Sequence, residues 1–139
     1  MKSIQLFFFA FFFSATVFGQ MSTLTVTFKF AAITEGYDHI CKSQVWMNGE
    51  LLGESKEVQE SAGGSFTVDI PYGEHTIRVI NLANYEGDWE EHTIENNYSI
   101  DCEWRGSYVY NKKKNKLFLL HDLDSGTVVS WKKMPKPAK

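Results

Sequence analysis

The chain has 139 residues, 43% hydrophobic and 22% charged, with a formal net charge of −3. That balance fits one folded domain, and it excludes a disordered chain or a large multidomain enzyme. Two cysteines are too few for a disulfide-built scaffold, and a weakly acidic body argues against nucleic acid as a partner.

The chain opens with Lys2, an apolar phenylalanine-rich stretch from Ile4 to Phe13, and a smaller, more polar exit from Ser14 to Gly19. This three-part order predicts a cleavable secretory signal over residues 1–19. A permanent anchor is disfavoured, because Gln5 and Ser14 interrupt the stretch and a span needs roughly 20 apolar residues. The expected location is therefore periplasmic or extracellular, with a domain over residues 20–131 and no membrane span after cleavage.

From Thr23 to Ala32, apolar residues alternate with threonines and a lysine, the signature of a half-buried strand. Thr34 to Lys42 breaks the pattern and is expected to be a loop carrying Cys41. Asn48-Gly49 then separates Gln44–Asn48 from Leu51–Glu54. This is the strongest hairpin signal in the chain, because that pair tolerates positive φ at both turn positions. Gln59 to Gly64 reads as a flexible loop. Phe66, Val68 and Ile70 alternate before Pro71 and Gly73, and Ile77 and Val79 follow, so a second hairpin is expected here. Ala83 to Asp88 reads as a loop, Trp89 to Glu95 as a weak strand, and Asn96-Asn97 as a turn. Tyr98, Ile100, Cys102 and Trp104 line one face of a further expected strand. Tyr108–Tyr110 and Lys116–Leu120 flank a lysine-rich turn, and Thr127–Trp131 closes the series. Residues 132–139 are expected to form a disordered basic tail.

Short strands separated by turn signals about every ten residues, with no sustained helical period, predict an all-β fold. The expectation is a single antiparallel β-sandwich, immunoglobulin- or transthyretin-like. Cys41 and Cys102, an even count in an exported chain, are expected to form a disulfide. Charge is unevenly placed. Residues 20–111 carry 5 basic and 15 acidic groups, whereas residues 112–139 carry 8 basic and 2 acidic ones. The basic end is expected to lie against the acidic body or to attract an anionic surface.

The stretch from Val45 to Ile94 resembles PEGA-type domains, on Asn48-Gly49, Leu52-Gly53, Phe66 and Val68, Gly73-Glu74-His75 leading to Ile77 and Val79, and Trp89 to Ile94. It departs from the family pattern at Pro71-Tyr72 and in the long link from Ser55 to Ser65. The resemblance implies a non-enzymatic, sandwich-like extracytoplasmic module, with no catalytic residues to carry over.

No nucleophile-base pattern, dinucleotide fingerprint or phosphate loop is present. His39, His75, His92 and His121 lack zinc-ligand spacing, so neither a metal nor another cofactor is expected. Asp122, Asp124 and Gly126 match the first half of a calcium loop, but its twelfth position is Lys133 instead of the bidentate glutamate. Gly73-Glu74-His75 reads as turn chemistry. The candidate binding residues are Tyr85, Glu86, Asp88 and Trp89, where two aromatic rings flank acidic groups in an expected loop and suit a protein or glycan partner. The expected function is thus a secreted or periplasmic non-enzymatic module that binds or supports an extracytoplasmic partner. The alternative is a carbohydrate-binding protein or small sugar-active hydrolase using the Tyr85–Glu91 loop.

Overall fold

A computed structural model describes residues 20–138. The expected secretory signal, residues 1–19, lies outside the described residues. The described chain is all-β apart from a single 3₁₀ turn at Ile94–Asn96. Ten strands follow in order: β1 (Met21–Ala31), β2 (Ile40–Met47), β3 (Glu50–Glu54), β4 (Val58–Gln59), β5 (Gly64–Pro71), β6 (Gly73–Tyr85), β7 (Asp88–Glu91), β8 (Glu103–Tyr110), β9 (Lys114–Asp122) and β10 (Gly126–Ser130). They form two sheets, one ordered β10-β9-β1-β5 and the other β3-β2-β6-β7, with β4 added to β2 and β8 added to β6.

The alternation in β1 sorts its side chains between two environments. Leu24, Val26 and Phe28 are fully buried. On the opposite face, Thr25 and Thr27 share hydroxyl hydrogen bonds of 3.0 Å with Thr67 and Ser65 of β5. The second sheet supplies Val45, Ile77 and Val79 to the same core, and β9 adds Leu117 and Leu119. This is a β-sandwich in which each sheet buries one face and solvates the other.

Asn48 and Gly49 both take positive φ, at 51° and 78°, and join β2 to β3 in the expected tight hairpin. The second expected hairpin does not form. β5 pairs with β1, whereas β6 pairs with β2 and β8, so the Pro71–Gly73 corner carries the chain from one sheet to the other. Proline is tolerated there because β5 is an edge strand. The lysine-rich turn at Asn111 is a second such crossing, and it makes β9 run parallel to β1. The sandwich is therefore not purely antiparallel.

Three local readings also change. Cys41 lies on β2 and not in a loop. The expected Ala83–Asp88 loop is instead the end of β6 and a tight turn into β7, with positive φ at Glu86 and Gly87. Tyr98 to Cys102 is irregular, and the strand begins only at Glu103.

Cys41 and Cys102, expected as a disulfide, are two free, fully buried thiols. Cys41 pairs with Ala83 on one side of β6, whereas the Cys102 carbonyl accepts from Asn81 on the other. Two strand spacings place their backbones roughly 9–10 Å apart, beyond the ~7 Å a disulfide spans.

Beyond Ser130 the chain bends back along the sandwich. Met134 and Pro135 are half-buried.

Candidate functional site

The strand ends of both sheets meet at one end of the sandwich. There β1 finishes, β2 begins, β6 turns into β7, and β9 finishes. A cavity of about 600 Å³ opens at this end, within the range of small-molecule sites. Its walls come from five segments: residues 32–39, the turn at Glu60, the strands around Tyr85 to His92, residues 96–99, and Leu123-Asp124.

Glu60 forms the floor. Its segment was expected to be a flexible loop, yet it is tied in place by several bonds. The Glu60 amide donates to the His39 carbonyl at 2.9 Å, and Ala62 and Gly63 donate back to Gln59. The Asp38 carboxylate accepts from both the amide and the hydroxyl of Ser61. Those two donors hold Asp38 below the usual carboxylate range. Gly63 closes the turn at φ 63°, pressed against the Phe28 carbonyl. The result is a glutamate whose residue is 1% exposed.

Neither Glu60 oxygen meets a hydrogen-bond donor of the protein. His92, also buried, brings Nδ1 to 3.3 Å from Oε1, in a geometry that makes no hydrogen bond. A buried carboxylate without donors costs several kcal/mol unless something compensates it, on the order of magnitude known for such groups.

The walls are aromatic. Tyr98 packs on His92 with ring centroids 4.1 Å apart and the planes tilted by 33°. Its hydroxyl donates to Glu90 at 2.6 Å. Burial, followed by that contact with Glu90, raises the Tyr98 phenol well above its ordinary value, so it stays a donor. His39 meets Tyr37, Tyr85 and Tyr98 edge-on, at centroid distances of 6.5, 6.2 and 6.2 Å. Behind this layer lies His121, also buried and packed on Phe30. Its Nδ1 contacts the Thr127 hydroxyl at 2.8 Å. Burial, with a smaller contribution from His92, pushes His121 down to about 3, so it is neutral.

Of the candidate residues, Tyr85 lines the cavity and is half exposed. Glu86 and Asp88 are exposed on the adjoining turn and do not line it. Trp89 points to the outer face of its sheet, where the Lys42 ammonium sits 4.6 Å above its ring. The same outer face carries Arg78, bound to Glu91 through two nitrogens at 3.0 and 2.8 Å. Sequence reasoning missed Glu60, His92, His39, Tyr37 and Tyr98. A lone glutamate in a polar segment and unevenly spaced histidines carry no local signal, since the fold alone brings them together.

Asp122 and Asp124, which matched half a calcium loop, form a turn in which the Asp124 amide donates to Asp122 at 3.0 Å. Among the described residues no group of three or more histidine, cysteine or carboxylate side chains is arranged to hold a metal. No helix among them is long and apolar enough to cross a membrane.

No family model matches the chain, and no curated protein sequence matches it. Solved structures offer loose likenesses. The 5-hydroxyisourate hydrolase of Klebsiella pneumoniae is 13% identical with a TM-score of 0.46, covering 81% of this chain and 100% of that one. A disulfide-locked mutant of intermedilysin with human CD59 gives 11% and 0.38, covering 83% of this chain and 25% of that one. A Gram-negative toxin gives 8% and 0.34, covering 82% and 23%. Likeness at this level carries no argument about activity.

Proposed function

We propose that the protein is an exported, non-enzymatic β-sandwich module that binds an extracytoplasmic partner in the cavity floored by Glu60. One observation supports this above the others. A fully buried carboxylate with two donor-free oxygens belongs to a residue that lines an aromatic-walled cavity, and a buried polar group left unpaired calls for a functional explanation. The immunoglobulin- or transthyretin-like strand order, the PEGA-like stretch 45–94 and the secretory signal 1–19 belong to the same proposal.

Amide-detected NMR titration with a set of small charged and neutral fragments tests it. Ligand-induced shifts are expected around Tyr37, His39, Tyr85 and Tyr98, and they should fade in Glu60→Gln. Shifts confined to other surfaces would overturn the assignment. Export is tested by the mature N-terminus, expected at Gln20. Protein retained inside the cell with its leader intact contradicts it.

The sugar-active alternative has one observation in its favour. Glu60, Glu90 and Asp124 reach a single cavity from three separate segments, as the carboxylates of a glycosidase do. Release of reducing ends from a polysaccharide panel, abolished in Glu60→Gln, supports the enzyme. Binding without cleavage supports the module.

A further inference from the structure

The cavity is rich in acids. Among the described residues its lining includes Glu60, Glu90 and Asp124, the imidazoles of His39 and His92, and no lysine or arginine. Of the two imidazoles, His92 lies 3.3 Å from Glu60 without a hydrogen bond to it. The Glu90 carboxylate is already engaged by the Tyr98 hydroxyl, and the Asp124 carboxylate is exposed to solvent, which leaves Glu60 as the one buried acid of the three without a donor. On this basis, and resting on the binding reading above, we infer that the cavity takes the primary ammonium group of an organic amine, with Glu60 as its counter-ion and the tyrosine rings around its stem.

Three features carry this choice. A buried carboxylate is stabilised by an opposite charge that also donates hydrogen bonds, and an ammonium supplies three donors to two waiting oxygens. A neutral polyol supplies donors without the charge. Tyrosine faces attract cations, and this chain already uses such a contact, in the Lys42 ammonium above Trp89. The charge layout points the same way. Asp38, Glu86 and Asp88 surround the cavity end, whereas Lys112, Lys113, Lys114 and Lys116 lie at the opposite end, where β8 passes into β9. That arrangement draws cations toward the cavity. A bare metal ion is the weaker candidate, since no suitable ligand group exists among the described residues.

Calorimetry and NMR with matched four-carbon probes test the inference: n-butylammonium, n-butanol and butyrate, with methyl glucoside and an end-blocked lysine amide alongside. Butylammonium is expected to bind and to shift the Tyr85 and Tyr98 signals, while butanol, butyrate and the glucoside do not. Tighter binding of the blocked lysine would identify the source as a protein side chain, and preference for the free amine would identify a small molecule. Glu60→Gln should weaken binding by about tenfold or more, as loss of a charge-assisted hydrogen bond does. Tyr85→Ala, at a half-exposed position the fold tolerates, should weaken it severalfold with an unchanged melting temperature. Equal binding of butanol or the glucoside, indifferent to Glu60→Gln, overturns the ammonium assignment and leaves the cavity a binding site. Absence of any probe from the cavity overturns both.

Discussion

The Cys41 thiol is pushed up to about 12 by burial, and Cys102 is raised by the same cause. Neither is therefore a thiolate at neutral pH, and neither is accessible to an electrophile. Iodoacetamide should leave the native protein unmodified and label two thiols after unfolding without reductant, read by intact mass. A mass showing no labelling under those conditions would restore the crosslink that the cysteine count suggested. His121 sets a second expectation. Burial depresses its folded value to about 3 from an ordinary 6.5, so the unfolded chain binds the extra proton between those limits. The stability that goes with a neutral His121 is complete above about pH 6.5 and falls by about 1.4 kcal/mol per pH unit below it. Urea unfolding from pH 7 to pH 4 should show this slope in the difference between the native protein and His121→Gln. Parallel curves would mean that His121 does not titrate on unfolding.

The two turn-bearing segments of similar sequence chemistry had different fates. Asn48-Gly49 joins neighbours in one sheet, and its backbone requirement is local, so the residues alone predicted the hairpin. Pro71 to Gly73 offers equally good turn residues, yet it moves the chain between sheets. Period two tells which face of a strand is buried and nothing about which strand lies beside it. The Gln59–Gly63 turn shows the same limit. It reads as a polar link, but it carries the buried glutamate of the cavity floor. A side chain at Gly63 would meet the Phe28 carbonyl at 2.6 Å, whereas one at Gly49 would meet open space. Gly49→Ala should cost about 1 kcal/mol, the penalty of positive φ alone, and Gly63→Ala at least about twice that. Chemical denaturation measures both, and equal losses would show that the turn at Gly63 relaxes freely.

The sandwich is closed along its β8–β10 seam by Trp131, which stacks on Tyr108 at 3.6 Å with an interplanar angle of 8° and meets Trp104 edge-on. Trp131→Ala should therefore lower stability by about 3 kcal/mol, the usual scale for loss of a large packed aromatic, while leaving the distant cavity competent to bind. A melting temperature unchanged by this substitution would show that the seam holds without it. The opposite end stays open, and there the acidic groups gather while the lysines of the β8–β9 connection lie far away. The sequence by itself determined the all-β class, the buried faces of β1, β5 and β6, and the Asn48-Gly49 turn, because alternation and turn chemistry act between residues close in the chain. Only the tertiary structure decided the sheet partners, the parallel β1–β9 pair, the separation of Cys41 from Cys102, and the meeting of Glu60 with His92 and Tyr98. Those outcomes depend on how strands distant in sequence share one core, and packing between two sheets leaves no periodic mark on either segment.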